Sequence, residues 1–167
     1  MKQDLQAALE KHIPLTLALG LTVEEASSGL VRLSFPLEPN RNHQNMAFGG
    51  SLYAAAVLAG WSLLWCVLRE NRVAGEVIIA ASGERFLSPV DAAFTAECSA
   101  PADAYALALR TLDRRGMARV NAESEILCNG KRCVIFGGTY GLLKKGAARG
   151  RREDIPDESG TVSDALP

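Results

Sequence analysis

Between Asn42 and Leu68 the chain contains no Asp, Glu, Lys or Arg: NHQNMAFGGSLYAAAVLAGWSLLWCVL. The first third of this stretch is polar and carries glycine, and the rest is alanine- and leucine-rich. No proline falls between Pro39 and Pro89. Apolar residues recur on every side of a 3.6-residue period, which predicts one long helix, Ser51 to Leu68, buried nearly all round. Ser51 stands where an N-cap hydroxyl would satisfy a free amide of the first turn. Gly49-Gly50 before it lets the chain turn tightly and approach a neighbour closely. Arg69-Glu70-Asn71-Arg72 marks the return to solvent.

The flanking segments follow other periods. Leu5, Ala8, Leu9 and His12 share one side of a short amphipathic helix over 3–12, ended by Pro14. A first strand is expected over Leu19–Ala26, followed by a turn at Ser27-Ser28-Gly29. Val31, Leu33, Phe35 and Leu37 alternate with Arg32 and Ser34 in a half-buried strand that Pro36 and Pro39 stop. After the long helix the period becomes two. Residues 77–82 are apolar on both faces and predict a central strand that continues through Glu84-Arg85-Phe86-Leu87. Three further strands are expected, over Val90–Cys98, Tyr105–Thr111 and Ala118–Ile126, with a hairpin at Asp113–Gly116. Asn129-Gly130 is a strong two-residue hairpin signal. The last strand, Cys133–Leu143, contains Gly137-Gly138, read as a bulge or a close approach by a packed helix or ligand.

Composition sharpens this picture. Of 167 residues, 48% are hydrophobic and 22% charged, enough for one domain with a sizeable core. The domain is expected over 1–143. The tail, 144–167, carries a basic and then an acidic run and predicts disorder. A net charge of −1 argues against nucleic-acid binding. Four cysteines without a CxxC, and two histidines, predict a reduced cytoplasmic chain with no metal site. The N-terminus lacks an apolar signal region. Gly50–Leu68 is long enough to span a membrane, but its serines, alanines and following alternating strands favour a buried helix, and no membrane span is expected.

A single long helix enclosed by antiparallel strands is an α+β arrangement. Asn42-His43, then Ala47-Phe48-Gly49-Gly50-Ser51-Leu52, then Ala59-Gly60-Trp61 in an apolar helix, resemble the hotdog-fold thioesterases, most closely the YiiD C-terminal-type thioesterase domain. That resemblance implies a curved antiparallel sheet wrapped around the helix. It also implies hydrolysis of an acyl thioester, with coenzyme A or phosphopantetheine present only as part of the substrate and no cofactor. The implied setting is lipid metabolism. The implied assembly is a homodimer, or a dimer of dimers, joined edge to edge.

Thioester hydrolysis needs donors for a developing oxyanion and a held, activated water. The leading amides of a buried helix lack internal partners and sit at the positive end of its dipole. The backbone amides of Gly49, Gly50 and Ser51 are therefore the expected oxyanion donors. By resemblance, Asn42, seven residues before Gly49, positions the water. Phe48 replaces a histidine, and Val57 stands at the usual helix carboxylate. That departure leaves His43 as the candidate base, the alternative being a histidine that packs on or bonds the loop backbone. Asn45, Phe48, Tyr53, Glu84 and Arg85 are candidate substrate contacts, Glu84 and Arg85 approaching from the partner subunit. The alternatives are an Asx-turn for Asn45, core packing for Tyr53, and a structural pair or solvated face for Glu84 and Arg85. The missing carboxylate keeps a non-catalytic acyl-CoA or acyl-carrier-protein binding module as the second reading and a hydratase as a weaker third. No GxSxG motif supports a serine hydrolase.

Overall fold

Helix α3, Gly49–Glu70, is the spine. In the computed structural model, which describes residues 1–101 and 103–145, it touches all six strands of one antiparallel sheet. The strands are β1 (Thr22–Ala26), β2 (Leu30–Phe35), β3 (Gly75–Phe86), β4 (Phe94–Ser99), β5 (Met117–Cys128) and β6 (Lys131–Lys144). Their order is β1-β2-β4-β5-β6-β3. Short helices α1 (Lys2–His12) and α2 (Leu15–Ala18) precede the sheet, and α4 (Ala106–Arg115) links β4 to β5. This is the hotdog fold. The expected disorder of the tail concerns residues that, from 146 onward, lie outside the described ones.

The apolar composition of α3 is matched by its burial. Leu52, Ala55, Ala56, Leu58, Ala59 and Leu63 are among its residues lost to the core, and even Ser62 is fully buried. A half-buried stripe remains along Tyr53, Val57, Trp61 and Trp65, which share one face at four-residue spacing. This stripe runs beside β3: the Trp61 indole donates to the Val77 carbonyl at 3.0 Å, and the Tyr53 and Ser82 hydroxyls are 2.9 Å apart. The helix is long and apolar enough to cross a membrane, but the sheet encloses it.

Four expectations are corrected. Residues 105–111 are not a strand. Tyr105, Ala108, Leu109 and Leu112 also fit a helical face, and Gly116, at φ 75, ends α4 as a left-handed C-terminal residue whose amide bonds Leu112 O. That glycine is a helix stop and not a hairpin corner. Strand β3 is an edge strand, not a central one. It reads as apolar on both faces because its register slips between Ile79 and Ala81, so the side facing α3 changes from odd to even positions. Strand β4 begins only at Phe94; the chain before it runs irregularly, and Val90 O accepts the Ala47 amide. Helix α3 begins two residues before Ser51, with Phe48 at the N-cap and no side-chain cap.

The Asn129-Gly130 corner behaves as read: both residues have positive φ, 50 and 74, and Cys128 pairs with Lys131 across it. Gly138 is a close-approach position. A Cβ there would lie 2.7 Å from the Tyr140 ring and 2.8 Å from the Phe136 ring, both buried against α3.

Candidate active site

The loop leading into α3 is fixed from both ends. Asn40, 1% exposed, donates through Nδ2 to Leu19 O at 2.9 Å and Pro36 O at 2.8 Å. Its own carbonyl accepts the Phe48 amide at 2.7 Å. The Ala47 amide bonds Val90 O at 2.7 Å, which ties the loop to the segment after β3. Asn40 is a positioning residue that the sequence reading passed over; a buried asparagine beside proline turns was its only signal.

Asn42 is oriented by the turn it makes. Its Oδ1 accepts from the Gln44 amide at 2.8 Å and the Met46 amide at 3.2 Å. The Asx-turn considered for Asn45 is thus made by Asn42, whereas Asn45 supplies a left-handed backbone, φ 59. With Oδ1 engaged, the Asn42 Nδ2 group keeps both N–H donors free of protein partners among the described residues.

At the start of α3 the amides divide. Ser51 N donates to Phe48 O at 2.9 Å, and Leu52 N reaches the same carbonyl at 3.1 Å. The Ser51 amide is therefore not a free donor, contrary to expectation. The amides of Gly49 and Gly50 find no acceptor among the described residues. They sit at the positive end of a 22-residue helix. Neither glycine makes a turn; both are helical. Phe48 lays its exposed ring over Gly50, where a Cβ would lie 3.0 Å from ring carbon Cδ1.

A groove of about 350 Å³ opens here. Asn42 and Gly49 share its wall with Met46, Leu52, Phe86 and Val90, so it is mostly apolar with a few convergent polar groups. Asn42 and Gly49 are therefore brought together, with Gly50 next along the helix and outside the lining. His43 is not: it is exposed, makes no hydrogen bond among the described residues and does not line the groove. Tyr53 points toward β3 and stacks edge-on against Phe136. Glu84 lies on the side of β3 that faces α3, and Arg85, its neighbour, on the outer side.

The cysteines contribute no nucleophile to this groove. Burial pushes the Cys66 thiol up to about 12 and the Cys98 thiol up to about 11, so both are protonated at neutral pH. Among the described residues, no three His, Cys, Asp or Glu side chains gather as a metal site requires.

A sequence profile for the family described as "Putative thioesterase (yiiD_Cterm)" matches residues 2–144. Among solved structures, a protein of unknown function from Chlorobaculum tepidum is 31% identical. That match covers 86% of this chain and 94% of the other, with a TM-score of 0.82. A putative thioesterase from Shewanella oneidensis is 27% identical over 85% of this chain and 96% of its own, TM-score 0.73. A thioesterase from Haemophilus influenzae shares the fold at 14% identity, TM-score 0.70, over 90% of this chain and 95% of its own.

Proposed function

This chain belongs to the YiiD C-terminal thioesterase family, and on that premise we propose that it hydrolyses acyl thioesters by direct attack of water at the N-terminus of α3. The observation that carries this reading is the pair of unpartnered amides, Gly49 and Gly50, opening beside an apolar groove that also holds Asn42. The thioester carbonyl oxygen accepts from these amides, whose hydrogen bonds strengthen as it becomes an oxyanion. The apolar wall receives the acyl or pantetheine chain. Asn42 Nδ2 donates to the attacking water and holds it near the carbonyl face. The carrier is coenzyme A or an acyl-carrier protein, bound only as part of the substrate.

The same reading includes a homodimer. Strand β3 presents an unpaired 12-residue edge with Ile78 and Ile79 exposed at 42% and 40%. Long apolar edges of this kind pair with a second copy. Sedimentation at micromolar concentration is expected to give twice the chain mass.

The test of function is thiol release from a panel of acyl-CoA chain lengths and acyl-carrier proteins. Wild type is expected to release thiol from at least one. Asn42→Asp keeps the Oδ1 that makes the turn but removes the Nδ2 donor, and is expected to lower kcat/KM about 10–100-fold. His43→Ala, at an exposed position outside the groove's lining, is expected to stay within about threefold of wild type. A second reading, an acyl-thioester-binding module without turnover, is favoured by one observation: α3 has no carboxylate before Glu70. Binding without any thiol release selects that reading.

A further inference from the structure

We propose that Glu84 is the general base of this site, supplied by β3 and not by the helix. The inference rests on the hydrolase reading above and assigns the group that activates its water.

The placement follows from register. Ser82, Glu84 and Phe86 pair with Gly138, Phe136 and Val134 without any slip between them. Directly paired residues share a face of the sheet, and side chains two apart on a strand share it as well. Both neighbours of Glu84 on that face reach the first turns of α3. The Ser82 hydroxyl lies 2.9 Å from the Tyr53 hydroxyl. The Phe86 ring lies 3.7 Å from where a Cβ on Gly49 would stand. Glu84 is therefore held between them, about 7 Å along the strand from each. That is level with the turn that carries the free Gly49 and Gly50 amides.

Within one chain, its surroundings leave the carboxylate available. Glu84 makes no ion pair and no hydrogen bond among the described residues, although six ion pairs occur elsewhere. Arg85 is on the opposite face. Tyr53 is the titratable group that α3 turns toward it, while β6 presents Phe136, Gly138 and Val134. Glu84 is exposed and lies outside the groove's own lining, on the face of β3 that turns toward the start of α3. A carboxylate on that face and the unpaired amides of that helix supply the two groups that water addition to a carbonyl requires, one accepting a proton and the other holding an oxyanion.

The step balances as follows. Water oxygen bonds to the thioester carbon, and one water proton passes to the Glu84 carboxylate. The carbonyl electron pair moves to oxygen, held by Gly49 N and Gly50 N. Collapse of this intermediate restores the C=O and breaks the carbon–sulfur bond. The proton on Glu84 passes to the departing thiolate, leaving a free acid and a thiol.

Four proteins test this on the best acyl-CoA of the panel: wild type, Glu84→Gln, Glu84→Ala and the outer-face control Glu123→Gln. Glu84→Gln is expected to lower kcat by about 10²–10⁴-fold, with KM little changed. The fall of wild-type kcat toward acid pH should be missing in the variant. Added formate is expected to restore part of the activity of Glu84→Ala. Glu123→Gln should behave as wild type. If wild type turns over but Glu84→Gln keeps its kcat and its acid limb, the Glu84 assignment is overturned and the hydrolase reading stands. If wild type releases no thiol from any substrate, both are overturned.

Discussion

Replacing Gly49 by proline is expected to lower kcat for thioester hydrolysis by about 10²–10³-fold while leaving the protein folded. Position 49 is the first residue of α3. Proline is tolerated there because that N–H has no helical acceptor and the ring's fixed φ suits the first turn. The preceding residue must be extended, and Phe48 already is, at φ −68 and ψ 134. Space is also available: a Cβ at 49 would meet only the Phe86 ring, at the ordinary distance of 3.7 Å. The substitution thus deletes one hydrogen-bond donor and little else. Gly49→Ala keeps the donor and adds the same Cβ, so it should lose far less. Matched melting temperatures with separated kcat values are the expected pattern. Equal activity in the two variants would show that the Gly49 amide holds no oxyanion.

The largest stability effect is expected at Gly60. A Cβ there would press on the Tyr140 hydroxyl and stand 2.9 Å from its Cζ. Tyr140 has nowhere to go: it is fully buried, and its hydroxyl donates to Val57 O at 3.0 Å. Overpacking of a pinned ring costs about 3 kcal/mol. Alanine's better helix propensity returns about 1 kcal/mol. The net loss, about 2 kcal/mol, corresponds to a Tm lower by about 4–8 °C. Tyr140→Phe alone should cost about 1 kcal/mol for the lost hydrogen bond. In the double variant the hydroxyl that meets the new methyl is gone, so the two losses should fall short of their sum. Strict additivity in a thermal-denaturation cycle would contradict this packing. Cavity and clash here concern the spine of the fold, so these variants should report on stability before chemistry.

Much of this architecture is legible in the residues because α3 is charge-free for so long and apolar on every side of its axis. The Asn129-Gly130 corner was equally direct. Helix α4 was not, since Tyr105, Leu107 and Leu109 satisfy a period of two as well as Tyr105, Ala108 and Leu112 satisfy 3.6. The tertiary choice is made by packing of Tyr105 and Leu112 on the sheet, which no local pattern contains. The edge position of β3 was hidden by its bulge, which blurs inward and outward positions into one apolar run. The site divides in the same way. Asn42 and the glycine amides follow from the loop–helix junction itself. The separate fates of Glu84 and Arg85, adjacent in sequence but on opposite faces, depend on that bulge and on pairing with β6. His43 drew attention for its chemistry alone, and the loop turns it to solvent.

The central claim is that a thioester carbonyl docks on the first amides of α3. It is tested most directly by amide NMR of glycine-labelled protein titrated with a ketone analogue of the best acyl-CoA, in which a methylene replaces the thioester sulfur. The expected result is a downfield shift of the Gly49 and Gly50 amide protons at saturation, with Gly29 and Gly116, toward the far end of α3, unmoved. Saturable binding that leaves Gly49 and Gly50 unshifted would contradict it.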